Sequence, residues 1–562
     1  MANPNTSSNQ RIPRWTRWLI WVLVPVALGV FSIKLGGTFS WDDRMYHYYN
    51  GFAFVEDRIG HDIAPAARQT FHNPLPDVPF YLSYRHLYGP LAGFLLGLLH
   101  GLNFPLLFLA VWYVLRPMPA FRRRLALAFA LAAIGILHRS FLVQIGGAAV
   151  DNVISLFVIG ALVVLFRGLP AGRPDTTVTC FRVGVVGFLL GAAFGLKLTA
   201  AVYCVGAGLA IPFLPAPNWV DRLNRLAAMA AGGVVGFATT GGFWALKLWH
   251  LTGNPFFPYL NQVFGSSLVA SHSFEYRNFL SKKTLLWEDP AVINEELWAL
   301  RTLAVDDVRY PIVGLLLALA LVVRFFDRRP RVDALVDRAA GLFLIVFFCV
   351  AFFAWLKVFA IHRYLLPSSL IAPIVAMALL DHATPKRRVR LGALAVITIL
   401  VLATANLSKA TRVAWSSNPY SIDLGGTAVP DDAIVVMIDL EPVAYMIPSF
   451  PQGVRFVRPG GNLFLQRWNH LHKIMTGVIH GSSGPIFTLH ADRTFGEFNP
   501  DDVLTSIGLE QMDGACILVR DDGVLPDVWL CPAAVSQEAT GDKPPELGLN
   551  QAHGTGAGLR SQ

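Results

Sequence analysis

Asp42 and Asp43 stand side by side directly after the apolar segment Leu19–Ile33, in the run Trp41-Asp42-Asp43-Arg44-Met45-Tyr46-His47-Tyr48-Tyr49-Asn50. A carboxylate pair is costly to bury in lipid, so acids tied this closely to a membrane-length segment mark a site more readily than a spacer. The chemistry open to them is general-base catalysis: one carboxylate removes or orients the proton of an attacking hydroxyl. Two adjacent acids in a loop do not generally point the same way. One is therefore assigned to catalysis and one to support, with Asp42 preferred.

Other ionisable residues collect at comparable places. Arg58, His61, Asp62, Asp77, Arg85 and His86 share the polar stretch 40–88 with the pair, and His138, Arg139 and Asp151 flank a later turn. Lys197, Lys247, His250, Lys357, His362 and Arg363 each lie at the end of an apolar run. From this set Lys197, Lys357, His362, Arg363, Arg58, His86 and Asp151 are taken as candidates for holding a phosphorylated substrate, since Lys and Arg neutralise phosphate oxygens and Arg also matches their geometry. Each residue also has a plainer reading. The acid pair or Asp151 could cap a helix, Lys197 and Lys357 could snorkel, and Asn73-Pro74 and Pro76-Asp77 are turn chemistry. Tyr46, Tyr48 and Tyr49 fit an interfacial aromatic belt better than a sugar-stacking platform.

These residues need a membrane scaffold to position them. The chain is 54% hydrophobic and only 15% charged, with a mean hydropathy of +0.49, outside the range of ordinary soluble domains. Apolar runs near 19–39, 89–115, 125–142, 148–166, 183–197, 198–214, 226–249, 311–326, 339–359, 363–380 and 390–406 give about eleven transmembrane helices, each near the ~20 residues a bilayer requires. The expected class is thus an all-α polytopic membrane protein. Basic residues mark every second connection: Arg11, Arg14 and Arg17; Arg116 and Arg122-Arg123-Arg124; Arg167, Arg173 and Arg182; Arg222 and Arg225; Arg324, Arg328, Arg329 and Arg331; Lys386-Arg387-Arg388 with Arg390. That alternation puts the N-terminus in the cytoplasm and the acid pair at the outer face of a cytoplasmic membrane. It also accounts for the net charge of +9, so nucleic acid is not an expected partner. Because the ionisable residues gather at outer helix ends rather than at mid-depth, an ion-coupled transporter is disfavoured.

Residues 1–18 read as a cytoplasmic tail, 19–406 as the membrane module with outer loops 40–88 and 250–310, and 407–535 as a small mixed α/β extracytoplasmic domain. Short β-branched runs at Ile434–Ile438 and Ala515–Val519 support the last reading. Residues 536–562, rich in Gly, Pro, Gln and Thr, read as a disordered tail. Cys516 and Cys531 share the expected outer domain and an oxidising compartment, which makes them a disulfide candidate. Gly89, Gly93, Gly97 and Gly101, and again Gly187, Gly191 and Gly195, recur at every fourth position and predict close helix packing.

With these residues in view, the chain resembles the GT-C superfamily of multi-spanning glycosyltransferases, whose protein mannosyltransferase-like and arabinosyltransferase-like branches use lipid-linked sugars. The resemblance rests on Asp42-Asp43 after the first span, the long first loop before the Gly-rich 89–101 helix, Gly195-Leu196-Lys197-Leu198-Thr199, and His362-Arg363-Tyr364-Leu365-Leu366-Pro367. It covers residues 19–406 and implies transfer of a sugar from a polyprenyl-phosphate donor to an envelope glycan, lipid or protein acceptor, with Asp42 or Asp43 as base. Branches of the superfamily differ in metal use. The sequence offers no further acid cluster for Mg or Mn, and the metal assignment stays open. A lipid-linked glycan polymerase or ligase, and a transporter or flippase of lipid-linked intermediates, are the competing readings.

Overall fold

The computed structural model describes residues 12–169, 178–269, 290–327, 333–404 and, with short interruptions, 412–536. The expected disordered tail after residue 536 and much of the second loop, 270–289, lie outside the described residues, as do Arg11, Arg173, Arg328, Arg329 and Arg331. All eleven apolar segments coincide with helices. Among the described residues, seven helical stretches are long and apolar enough to cross a membrane: Arg14–Leu35, Gly89–Val114, Val150–Arg167, Trp219–Thr252, Arg309–Phe326, Arg338–Val358 and His362–Ala383. Cys180–Leu196 and Leu198–Phe213 are apolar but shorter, and Phe121–Ile136 and Arg387–Thr404 carry the remaining two segments.

Two compact units contain the described residues. The first draws on Met1–Leu35, Gly93–Phe243 and Tyr276–Lys409, and the second on Gly36–Ala92, Trp244–Glu275 and Ala410–Gln562.

The first unit is a helical bundle in which the glycine stripes let backbones meet. A Cβ on Gly187 would lie 2.1 Å from the Met229 carbonyl oxygen, and one on Gly191 2.0 Å from that of Gly233. Only hydrogen fits between Cys180–Leu196 and Trp219–Phe237, which is how two apolar helices gain van der Waals contact where lipid supplies no hydrophobic drive. Gly97 likewise faces Ser32 and Gly29 of the first span. Helix Cys180–Leu196 ends at Lys197, whose φ of −150° and ψ of 117° are extended, before the short turn Leu198–Ala200 resumes the helix.

The second unit is built on sheets. A small antiparallel pair joins β1 (Gly37–Thr38) to β2 (Arg412–Val413). The main sheet contains β3 (Ile434–Met437), β4 (Arg455–Val457), β5 (Ile486–Ala491), β6 (Leu509–Gln511), β7 (Ile517–Arg520) and β8 (Val528–Val535), ordered β4-β3-β5-β8-β6 with β7 also on β8. β3 runs parallel to β4 and β5, while β8 is antiparallel to β5, β6 and β7. All of β3 is buried, as expected of a parallel strand flanked on both sides. The open edge of β4 is closed by the first loop: Ile63 N–H donates to the Phe456 carbonyl at 2.8 Å and Arg458 N–H to the Ile63 carbonyl at 3.1 Å. Cys516 and Cys531 are joined as a disulfide.

Candidate functional site

Within the second unit, the chain turns out of β1 into a tight π-helical turn, Asp43–His47, followed by helix Tyr48–Val55. Ser40 and Asp43 form a reciprocal capping box: Asp43 N–H donates to Ser40 Oγ at 3.2 Å, and Ser40 N–H donates to Asp43 Oδ2 at 2.7 Å. Thr38 Oγ1 donates to the same carboxylate oxygen. Asp43 is therefore buried and committed to holding the turn, whereas Asp42, one residue earlier, is half-buried. The capping reading thus holds for Asp43.

His47 is buried on this turn and its Nδ1 lies 2.6 Å from Asp77 Oδ1, with Asp77 itself 2% exposed. Burial opposes a charge on His47. The carboxylates of Asp77, Asp42 and Asp43 outweigh it, and the imidazole sits above its usual range. The three tyrosines of the segment do not form a lipid-facing belt. Tyr46, Tyr48 and Tyr49 are buried inside the unit, where Tyr48 stacks on Tyr420 at 4.4 Å and Tyr49 donates to Asp62 at 3.0 Å. A C-terminal aromatic, invisible to local periodicity, provides the partner that lipid was expected to supply.

Two further candidates of the first loop fall elsewhere. Arg58 is 5% exposed and gives Nε and Nη2 to Asp62 and its remaining donors to the Gln452 and Val454 carbonyls. These contacts make it a clamp on the first loop. His86 is exposed at the end of helix Val78–His86.

Within the first unit, a second cluster forms around Tyr364. Lys197 Nζ lies 2.6 Å from Asp151 Oδ1 and 4.6 Å from the centre of the Tyr364 ring, and the Arg363 guanidinium lies 5.5 Å from that ring. Tyr203 Oη fixes the backbone by donating to the Tyr364 carbonyl at 2.6 Å. The Asp151–Lys197 ion pair and the Arg363 guanidinium thus share the Tyr364 ring. His362, next along the chain, turns to Asp306 at 3.1 Å and to Thr302 and the Ala299 carbonyl at 3.1 Å each. Lys357 is half-buried at the end of helix Arg338–Val358. Among the described residues, no group of three or more His, Cys, Asp and Glu side chains gathers as a metal centre.

Sequence reasoning missed a third group, at the carboxyl end of the parallel strands in the second unit. Asp439 and Glu441 follow β3 and Arg458 follows β4, all buried. Burial, with Asp439 adding to it, pushes Glu441 up to about 7, and burial pushes Asp439 up to about 6. Their one sequence signal is the β-branched run that ends just before Asp439.

No protein-family model matches the chain, and neither does any curated protein. Solved structures do. The crystal structure of ArnT from Cupriavidus metallidurans bound to undecaprenyl phosphate is similar over 92% of this chain and 98% of its own, at 14% identity and a TM-score of 0.52. The apo form of the same protein covers the same shares at 13% identity and a TM-score of 0.39. At this identity the likeness speaks to architecture, and the chain is a multi-pass membrane protein with the ArnT fold.

Proposed function

We propose that this protein is a glycosyltransferase that moves a sugar from a polyprenyl-phosphate donor to an envelope glycan, lipid or protein acceptor at the outer face of the cytoplasmic membrane. The N-terminus is cytoplasmic in this reading, and the region 407–535 is extracytoplasmic. The observation that carries it is the division of labour in the acid pair. Asp43 is engaged by Thr38 and Ser40, while Asp42 stays half-buried beside the buried His47–Asp77 pair. Such an arrangement suits one supported and one working carboxylate. The ArnT fold, crystallised elsewhere with undecaprenyl phosphate, supports a lipid-phosphate partner.

In this mechanism Asp42 accepts the proton of an acceptor hydroxyl as its oxygen attacks the anomeric carbon from the face opposite the phosphate. The C–O bond to phosphate breaks, and its electron pair leaves with the polyprenyl phosphate. Within the first unit, Lys197, fixed by Asp151, and Arg363, with Lys357 and His362, are proposed phosphate contacts, and within the second unit His86 is another.

A deletion strain is expected to accumulate the unused lipid-linked sugar, which mass spectrometry of the envelope lipids identifies. That extract is then the donor for the purified protein. Asp42→Asn should lower turnover by about 10²–10⁴-fold, the range for removing a general base, whereas Asp43→Asn should act mainly by loosening the turn. If both Asn variants retain full activity, the assignment is wrong.

A further inference from the structure

Inside the helical bundle of the first unit, His100, Asn103 and Asn152 are buried together on otherwise apolar helices. Polar side chains inside a membrane-spanning bundle point to a role in function before one in packing. Their setting has a local cause. Pro105 has no N–H to give the Gly101 carbonyl, so the stretch Gly89–Val114 is interrupted at Leu102. Asn103 turns its amide back across the break and donates to the His100 carbonyl at 2.9 Å.

The second hydrogen of that amide goes to the Asn152 carbonyl at 2.9 Å. Asn152 in turn donates from Nδ2 to His100 Nδ1 at 3.3 Å and to the Phe141 carbonyl at 3.4 Å. Gly146 N–H donates to the same imidazole nitrogen at 3.2 Å. A backbone N–H can only donate, so His100 Nδ1 is an acceptor shared by two segments of the chain. The amide oxygens of Asn103 and Asn152 are left without a donor. Two unfilled acceptors in an apolar interior are a cost that leucines at the same places would avoid.

The network ends one residue from Asp151. Helix Val150–Arg167 begins after Ala149, which has no side chain that could cap it. Its first turn is pinned from neighbouring helices instead, through both the carbonyl and the amide of Asn152. Asp151 projects about 100° further round the same turn and meets Lys197 Nζ at 2.6 Å. Ser155 Oγ tightens the turn by donating to the Asp151 carbonyl at 2.9 Å.

We propose that His100 and Asn152 are positioning residues for a phosphate site at Lys197: they fix the helical turn from which Asp151 aims the Lys197 ammonium. The proposal rests on the reading of Lys197 as a phosphate contact. A contact of this kind is only as good as the shell that holds it.

The test is calorimetric binding of geranylgeranyl phosphate to the purified full chain in detergent, with geranylgeraniol as the phosphate-free control. The ratio of the two Kd values is the phosphate preference. Lys197→Gln should lower that preference about tenfold, the loss of one charge-assisted phosphate contact. His100→Leu and Asn152→Leu should each lower it about fivefold, with alcohol binding unchanged. His100→Asn places a carbonyl oxygen where Nδ1 stands and should restore the wild-type preference. The double variant His100→Leu with Lys197→Gln should bind like Lys197→Gln alone, because a residue that acts through Lys197 has nothing left to act on. Interhelical hydrogen bonds within a membrane contribute modestly to folding; should a Leu variant fail to fold, Asn152→Ser, too short to reach His100, carries the same expectation. Equal losses for phosphate and alcohol would mean a role in folding alone and overturn the proposal. So would a double variant in which the two losses multiply. Lowered preference in Lys197→Gln beside wild-type preference in His100→Leu and Asn152→Leu rejects this inference alone. Wild-type preference in Lys197→Gln, or no preference in wild type, rejects the phosphate site itself.

Discussion

Removing the Asp62 carboxylate should unfasten the first loop from the C-terminal sheet. Asp62 is 6% exposed and accepts four hydrogen bonds: Arg58 Nε at 3.0 Å, Arg58 Nη2 at 2.6 Å, Tyr49 Oη at 3.0 Å and Phe456 N–H at 3.0 Å. Asp62→Ala leaves Arg58 buried with carbonyl partners but no counter-charge, and it strips the edge strand β4 of one N–H partner. Breaking a buried ion pair from one side costs about 3–5 kcal/mol, and the stranded hydroxyl and amide each add about 1 kcal/mol unless water reaches them. We expect about 4 kcal/mol in all, since partial relaxation offsets some of that sum. The unfolding temperature of the purified protein in detergent should fall by about 8–16 °C, taking ~2–4 °C per kcal/mol for a unit of ~200 residues. Scanning fluorimetry reads this directly. The pair Arg58→Met with Asp62→Leu should be less destabilised than Asp62→Ala alone, because no uncompensated charge is left behind. A shift of under about 2 °C for Asp62→Ala would refute the reasoning, as would a double variant no better than the single one.

Three other changes test different parts of the structure. Gly191→Ala would drive its new methyl into the Gly233 carbonyl, a backbone atom that side-chain repacking cannot move; we expect a loss of about 3 kcal/mol, seen as a lowered unfolding temperature. Gly208→Ala, where a methyl meets nothing within 4 Å, should leave that temperature unchanged or slightly raised. His47→Gln should remove one pH-dependent contribution to stability. The folded-state value of His47 is raised, so its contribution is complete below its ordinary value of 6.5 and disappears as pH rises through the folded value. The difference in unfolding temperature between wild type and variant should accordingly be largest at acid pH and close toward alkaline pH, and a difference that grows with pH would contradict the His47–Asp77 assignment.

The membrane scaffold was legible in the sequence because its signals are local. Twenty apolar residues and the spacing of Gly187, Gly191 and Gly195 each declare themselves within one helix, and the break at Lys197 is marked by a charge in an apolar run. The acid pair was legible as one catalytic and one supporting acid, but not the contacts that engage Asp43. What separates Asp42 from Asp43 is the Ser40-x-x-Asp43 capping box, whose spacing stands in the sequence and was available as a signal. The tyrosines misled for a physical reason. A Tyr-rich segment beside a span looks the same whether its rings face lipid headgroups or a protein core, and only Tyr420, more than 370 residues away in the chain, decides between them. Asp439, Glu441 and Arg458 left almost no trace, because strands of three or four residues are too short to show a period.

The same non-locality explains why the loop carrying the acid pair needs the C-terminal region. A loop with Asp42, Asp43, Arg58, Asp62 and Asp77 has too many charges to bury by itself, and a mobile carboxylate is a poor base because its orientation must be fixed again at each turnover. In the second unit the rigidity comes from residues that follow the last span. Strand β2 pairs with β1, Phe456 N–H and the Gln452 and Val454 carbonyls complete the Arg58–Asp62 clamp, and Tyr420 and Tyr445 close around Phe39. Each of these contacts fixes backbone within a few residues of Asp42 or of the loop behind it. A chain truncated after the last helix would keep its acid pair and lose the framework that orients it. The C-terminal region is therefore part of the framework that fixes the backbone carrying Asp42 and Asp43.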